Sequence, residues 1–237
     1  QLTETFLVLN GDVLTDLDVR ALVEFHRDVH AEATIALQPV DDPSSFGVVT
    51  TDNRGRVEAF IEKPEKGSAP SNNINAGTYV LEPSAVEQIP QGRPVSVERE
   101  TFPELAAKGT LYALPSATYW LDTGTPRQFI QANLDMLNGK RKQLPDLPDA
   151  VIDPKSLITQ SVIGNGSEVE EGAVIDKSVL LDGCRIGANS EILGSVLSED
   201  VYVGQGARLD GCVIGQGQHI QPGEVLMNES RPEAGSA

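Results

Sequence analysis

Aliphatic residues recur in the second part of the chain at intervals of five and six residues. The intervals add up to 17 over every three steps, so that Ile163, Leu180 and Leu197 occupy equivalent positions. Such an interval fits neither a helix of about 3.6 residues per turn nor a simple alternating strand. It fits a short strand followed by a tight corner, and three such steps per turn predict a triangular coil whose strands stack in parallel. The anchor positions are Ile152, Ile158, Ile163, Val169, Ile175, Leu180, Ile186, Ile192, Leu197, Val203, Leu209, Ile214, Ile220 and Leu226.

Small residues stand at the predicted corners. Three positions after each anchor from Ile163 to Ile220 the residue is Gly, Ser, Asn, Asp or Cys, types that suit a left-handed backbone or a tight turn. A second column, Ser161, Ser178, Ser195 and Cys212, follows the same 17-residue period, and valine follows each member. The pattern resembles the left-handed parallel β-helix of hexapeptide-repeat proteins, with about four coils visible.

The first part of the chain alternates between strand-like and helix-like patterns. The apolar run Phe6–Leu9 predicts a buried strand, and Thr15 with Asp18 predicts a capping box ahead of a helix. This alternation favours an α/β sheet with helices on its faces. Further strands are predicted at 33–40, 46–51, 56–61, 77–81, 111–114 and 119–121, and helices at 18–30, 96–108 and 125–139.

Composition divides the chain into the same two parts. Residues 161–226 hold 12 of the 22 glycines and one of the 15 prolines, and 10 of the 11 aromatic residues precede residue 130. We therefore predict an α/β domain over 1–140, a linker over 141–150, a β-helix over 151–227 and a tail over 228–237.

Charge and cysteine content exclude several classes of function. The formal net charge of −17 argues against a nucleic acid polymer or an anionic membrane as a partner. No apolar run approaches the ~18–20 residues of a membrane span. Two cysteines give neither a disulfide framework nor a zinc motif, so a reducing cytoplasm is expected.

Two carboxylates stand beside predicted strand ends. Asp12 follows the first strand, and Asp122 lies between a strand and a helix start. A ligand crevice forms at the carboxyl end of a parallel strand. Two such carboxylates suit Mg²⁺, which takes few protein ligands together with phosphate oxygens. The alternative interpretation is a turn residue at Asp12 and a helix-capping residue at Asp122.

Three further residues have side chains suited to a phosphorylated polar ligand. Glu62 can accept from hydroxyls, Lys63 can hold a phosphate and Asn75 can hydrogen-bond a polar group. Gly77 lets the backbone approach closely. A solvated strand end and an ordinary turn are the alternatives.

Together and in this order, these motifs resemble the sugar-1-phosphate nucleotidylyltransferases, and in detail most resemble the mannose-1-phosphate guanylyltransferases. The resemblance continues through the hexapeptide repeats and covers nearly the whole chain. The stretches that carry it are 9–12, 46–49 with 57–64, 74–80, 96–103 and 120–124.

The resemblance implies a partial Rossmann-like domain that joins a nucleoside triphosphate, GTP in the closest subfamily, to a sugar 1-phosphate such as mannose 1-phosphate. It also implies a homo-oligomer. By position, Asp12 and Asp122 match the Mg²⁺ ligands and Lys63 matches the sugar-phosphate contact. Glu62 and Asn75 match residues that contact sugar hydroxyls. Gly47 and Gly77 match positions where the backbone approaches the sugar.

The glycine-rich loop that opens this family has no counterpart here, although it binds the triphosphate and selects the base. We therefore expect a missing N-terminal nucleotide-binding part, and no turnover by these 237 residues alone.

Three alternatives remain open. The first is a glucose-1-phosphate thymidylyl-, uridylyl- or adenylyltransferase, and the second is a non-catalytic regulatory paralogue. The third is a hexapeptide acyltransferase, which would need a catalytic histidine. His219, the sole histidine of the repeat, stands at a variable position between two anchors. His26 and His30 are expected at the surface of a helix.

Overall fold

A computed structural model of the chain describes residues 2–141 and 149–232. The chain divides into two compact units, Gln1–Leu121 and Asp122–Ala237. Residues 142–148 of the predicted linker and 233–237 of the predicted tail lie outside the described residues. Within the described ranges, no helix combines the length and the apolar character needed to cross a bilayer.

The first unit consists of a mixed sheet and short helices. The strands are β1 (Phe6–Leu9), β2 (Val13–Thr15), β3 (Ala33–Pro39), β4 (Gly47–Thr51), β5 (Val57–Glu62), β6 (Asn73–Leu81), β7 (Leu111–Pro115) and β8 (Trp120–Asp122), the last reaching the unit boundary. The helices are α1 (Val19–Asp28), α2 (Pro83–Glu87) and α3 (Phe102–Lys108), and a π-helical turn, Val97–Thr101, leads directly into α3.

The long strand β6 lies at the centre of the sheet. The strand order is β5-β4-β6-β3-β7, and β1 also pairs with β6. Strands β3 and β7 run parallel, whereas β6 is antiparallel to β1, β3 and β4. The predicted α/β class is confirmed as a mixed, Rossmann-like sheet. The main apolar core of the unit includes Phe102 and Leu105 of α3, both fully buried.

Strand β1 is less buried than its apolar run predicts. Leu7 and Leu9 are 38% and 57% exposed, because alternate side chains of a strand face opposite sides of the sheet. The register pairs Leu9 with Thr78 in an antiparallel ladder. The prediction that Asp12 follows a parallel strand is therefore wrong, because β1 runs antiparallel to β6, the neighbour that the structure describes.

Asp18 caps helix α1, and its Oδ1 accepts from the backbone N–H of Ala21 at 3.0 Å. Thr15 instead donates to the carbonyl of Tyr119, so the predicted capping box is wrong. His26, expected at the surface, is 1% exposed. Its ring nitrogens lie 2.8 Å from Thr34 Oγ1 and 3.1 Å from Glu82 Oε1, and these polar partners allow the imidazole to be buried.

The second unit begins with α4 (Pro126–Leu137) and continues as a β-helix. Thr125 caps α4 at the predicted start of this helix, with its hydroxyl accepting from Gln128 N–H at 3.3 Å. The short strands are β9 (Val151–Ile152), β10 (Leu157–Thr159), β11 (Val162–Ile163), β12 (Glu168–Val169), β13 (Val174–Asp176), β14 (Val179–Leu180), β15 (Arg185–Ile186), β16 (Glu191–Leu193), β17 (Val196–Leu197), β18 (Tyr202–Val203), β19 (Arg208–Asp210), β20 (Val213–Ile214), β21 (His219–Ile220), β22 (Val225–Met227) and β23 (Ser230–Arg231).

These strands form three parallel sheets of five strands each. The register joins residues 17 apart, as in the pairings of Ile163 with Leu180 and of Leu197 with Ile214. The repeat is therefore a three-sided parallel solenoid, consistent with the left-handed β-helix that the resemblance implies. It has about five coils, one more than the sequence indicated. The anchors line its core, except that Ile152 in the first coil is 42% exposed.

Helix α4 explains the column of valines. Val179 and Val196 point outward from one sheet of the solenoid, yet both are buried. They pack in one apolar cluster with Ile130 and Phe129 of α4. The valine column therefore forms part of the surface on which α4 packs.

Candidate functional site

Three of the predicted sugar-binding residues lie in one row across the sheet of the first unit. Gly47 of β4 pairs with Glu62 of β5, and Val48 pairs with Ile74 of β6. Because the strands are antiparallel, the next position brings Gly47 level with Asn75. Residues opposite one another in a sheet share a face, so Glu62 and Asn75 flank a position that has no side chain.

Gly47 is required by the close approach of its neighbours. A Cβ at this position would lie 2.9 Å from Glu62 Oε2 and 2.8 Å from Phe60 Cζ. The carboxylate of Glu62 therefore lies across the backbone of Gly47. Any larger residue would push Glu62 or Phe60 aside.

Asn75 belongs to a chain of hydrogen bonds that leaves the strand. Its Oδ1 accepts from the N–H of Gly77 at 3.0 Å, and its Nδ2 donates to the hydroxyl of Tyr79 at 2.9 Å. The Tyr79 hydroxyl donates in turn to Glu98 Oε1 at 3.2 Å, and Ser96 donates to the other carboxylate oxygen at 3.2 Å. Each of these side chains therefore makes at least one hydrogen bond to another member of the network.

Tyr79 is closely packed and stays protonated at neutral pH. Its side chain is buried, and its ring packs edge-on against Phe102, with centroids 5.1 Å apart. Burial is the main cause that raises the pKa of Tyr79 well above its usual value, and the nearby carboxylates of Glu98 and Glu62 raise it further. Both carboxylates therefore lie within electrostatic reach of this phenol.

The π-helical turn Val97–Thr101 supplies Glu98. Ser96 precedes the turn, and its hydroxyl accepts from Arg99 N–H at 3.3 Å. Single π-helical turns often occur at functional sites. The stretch 96–103 carries part of the family resemblance, but the resemblance assigns no role to Tyr79 or Glu98. The available signal was a tyrosine two residues after Gly77 in an apolar strand, since a buried hydroxyl needs a partner.

Lys63 follows Glu62 in an uncommon backbone conformation. Its φ is +48°, and its backbone N–H donates to the carbonyl of Phe46 at 3.0 Å. The side chain is exposed. Such a conformation is uncommon for a residue with a side chain.

Asn10 joins the loop of Asp12 to strand β6. Its N–H donates to the carbonyl of Gly77 at 2.8 Å, continuing β1 by one bond. Gly77 has φ +72°, and a Cβ there would lie 2.8 Å from Asn10 Nδ2. Asp12 is exposed two residues further on.

Trp120 also donates a hydrogen bond to the backbone of β6, one residue before Gly77. Its indole N–H donates to the carbonyl of Ala76 at 2.9 Å, and its ring packs edge-on against Phe46. Asp122 ends β8 and belongs to the second unit. There its Oδ1 accepts from the N–H of Gly124 at 2.8 Å. Across the described ranges, no three or more His, Cys, Asp or Glu side chains group as a metal site.

The alternative acyltransferase histidine lies on the outer face of the solenoid. His219 is exposed, and its ring lies beside that of Tyr202 with centroids 5.3 Å apart. Cys184 and Cys212 are buried free thiols, and burial raises the pKa of Cys184 to about 11. A thiol with so high a pKa is a packed structural residue at neutral pH.

Comparison with known families and proteins also divides the chain into two parts, with the boundary at residues 139–146. A family model described as nucleotidyl transferase matches residues 1–139, and one described as GMPPB C-terminal domain matches residues 146–231. A mannose-1-phosphate guanylyltransferase of Mycobacterium tuberculosis is 41% identical over 201 residues, which is 80% of this chain and 55% of the relative. Mannose-1-phosphate guanylyltransferase 1 of Arabidopsis thaliana is 36% identical over 193 residues, 77% of this chain and 53% of the relative.

A third relative is the mannose-1-phosphate guanylyltransferase catalytic subunit beta of Drosophila pseudoobscura pseudoobscura. It is 36% identical over 184 residues, which cover 77% of this chain and 45% of the relative. The chain thus spans about half the length of the curated relatives it matches. Because the nucleotidyl transferase model matches more than half of the residues, the chain belongs to the nucleotidyl transferase family.

Proposed function

We propose that the full-length protein carrying this chain transfers a nucleotidyl group from GTP to mannose 1-phosphate, giving a nucleotide sugar and pyrophosphate. The observation that carries this proposal is the family match over residues 1–139, together with relatives that are named mannose-1-phosphate guanylyltransferase. The row formed by Gly47, Glu62 and Asn75 supports it, because a carboxylate and an amide on either side of a glycine suit a polyhydroxylated ring.

The proposed reaction depends mainly on how the two substrates are positioned. A phosphate oxygen of the sugar 1-phosphate attacks the α-phosphorus, the bond to the β-phosphate oxygen breaks and pyrophosphate leaves. The nucleophile is already an anion, so the residues need only orient it and offset charge. In this proposal Lys63 contacts the sugar phosphate, Glu62 and Asn75 bind sugar hydroxyls, and Gly47 and Gly77 let the backbone approach the sugar.

Asp12 and Asp122 are the proposed ligands of Mg²⁺. Their chemistry fits this ion, since each offers hard carboxylate oxygens, and Asp12 is exposed in the turn between β1 and β2. When bound, Mg²⁺ would supply neutralisation and orientation of phosphate charge. The hydrogen bond from Gly124 to Asp122 would hold that carboxylate in one orientation.

The metal assignment is tested by Asp122→Asn in the full-length protein. We expect kcat/KM to fall by about 100-fold or more, because an amide cannot offset phosphate charge through a bound cation. Asp28→Asn, at the exposed end of α1, is the matched control and should retain activity. Unchanged activity of Asp122→Asn would show that the assignment is wrong.

An activity panel separates the alternatives. Preference for glucose 1-phosphate with another triphosphate would indicate a thymidylyl-, uridylyl- or adenylyltransferase. Binding of a nucleotide sugar without turnover would indicate a regulatory paralogue.

Assembly and location form part of the same proposal. A homo-oligomer is supported by strand β9, which pairs only with β12 among the described residues and leaves a strand edge to be covered. A monomer in light scattering would contradict it. A cytoplasmic location is supported by the two unpaired, buried cysteines.

A further inference from the structure

The chain of hydrogen bonds from Gly77 to Ser96 has a fixed direction. Glu98 as a carboxylate can only accept, so the Tyr79 hydroxyl must give its single proton to Glu98. The Tyr79 oxygen is then an acceptor, and Asn75 must turn its NH₂ group toward it. Its carbonyl oxygen consequently faces the N–H of Gly77.

We propose that Tyr79 is a positioning residue for the sugar site. Glu98 polarises the Tyr79 hydroxyl, and this hydroxyl makes Asn75 present its amide in one orientation. The inference rests on the proposed function, because it concerns the residue assigned there to a sugar hydroxyl. An amide turned by 180° exchanges a donor for an acceptor, which is the difference a sugar-binding site must control.

The ring of Tyr79 is held in place independently of its hydroxyl. The ring is fixed by burial and by its contact with Phe102, so removal of the hydroxyl leaves the packing in place. Asn75 and Glu98 are each half-buried, so their orientation depends on the hydrogen bonds. Ser96 holds the far carboxylate oxygen and stops Glu98 from turning away.

The test uses the full-length protein with GTP, mannose 1-phosphate and Mg²⁺. For Tyr79→Phe we expect the KM for mannose 1-phosphate to rise about tenfold while the KM for GTP changes little. Glu98→Gln should do the same, because a neutral amide no longer polarises the Tyr79 hydroxyl and so weakens its hydrogen bond to the Asn75 NH₂ group. If the hydrogen-bonded side chains act as a unit, the KM for mannose 1-phosphate of the double variant will not exceed that of the more impaired single variant.

Two matched controls separate this role from a structural one. Tyr112→Phe removes the hydroxyl of a half-buried tyrosine in the same sheet, and Glu100→Gln changes the neighbouring carboxylate, which pairs with Arg93. Both should keep both KM values. A rise in both KM values together with a lower Tm in Tyr79→Phe would assign Tyr79 a structural role and overturn the inference.

The remaining outcomes distinguish the inference from the proposed function. A wild-type protein without turnover contradicts the proposed function and the inference with it. Wild-type turnover combined with an unchanged KM for mannose 1-phosphate in Tyr79→Phe contradicts the inference alone.

Discussion

At the scale of single residues, Gly77 shows why a glycine in a strand interior can be indispensable. It combines a left-handed backbone, with φ at +72°, and the side chain of Asn10 packed directly over its Cα. The first feature strains any other residue, and the second leaves no room for a Cβ. Both features arise because Asn10 and Gly77 lie far apart in the chain but in contact in the fold.

Gly77→Ala should therefore lower the free energy of unfolding by about 2–4 kcal/mol, from backbone strain and overpacking together. Urea denaturation measures this loss. Gly67→Ala is the matched control, since Gly67 has φ +80° but nothing within 4 Å of its Cβ position. It should lose only about 1–2 kcal/mol. Equal losses would mean that the contact with Asn10 contributes nothing.

Residue-scale predictions from the sequence succeeded where chemistry is local and failed where a partner is remote. The predicted start of a helix at residue 125 is confirmed, because the cap Thr125 and the N–H that it accepts from lie three residues apart. The burial of His26 was not predicted. Its partner Glu82 stands 56 residues away, and local spacing carries no sign of it.

At the scale of elements, the β-helix has a second column of interactions beside its apolar anchors. The hydroxyl of Ser178 accepts from the N–H of Ser195 at 3.1 Å, and Ser195 accepts from Cys212 at 3.0 Å. Ser161 and Ser178 are joined in the same way. The 17-residue period of this column is therefore a hydrogen-bonded ladder between successive coils.

Ser195→Ala tests the ladder. It leaves the buried N–H of Cys212 without its acceptor, which should cost about 1–3 kcal/mol in the free energy of unfolding. Ser230→Ala, at an exposed strand position, should be nearly neutral. The ladder is unimportant for stability if the two variants unfold at the same urea concentration.

At the scale of the whole molecule, the excess of negative charge is large. With a net charge of −17 and a pI near 4.5, like charges repel across the folded protein at pH 7. Dissolved salt screens this repulsion, since the Debye length falls from about 30 Å at 0.01 M to about 8 Å at 0.15 M.

We therefore expect the Tm at pH 7 to rise by a few degrees between about 0.01 M and 0.15 M NaCl. Differential scanning calorimetry checks the shift. The same change of salt at about pH 5, where the net charge is smaller, is the control and should give a smaller shift. A Tm that stays constant or falls at pH 7 would show that attractive ion pairs outweigh the repulsion.

The sequence by itself determined the β-helix down to its register. One aliphatic residue per side and a constant coil length force residues 17 apart to stack, as the pairing of Val162 with Val179 shows. Only the tertiary structure decided the arrangement of the candidate sugar site. Its row and its hydrogen-bond chain join three strands and a π-helical turn through pairings that have no period in the sequence, such as that of Tyr79 with Glu98. Local patterns fix what repeats along the chain, whereas contacts between distant segments are fixed by how the sheet folds them together.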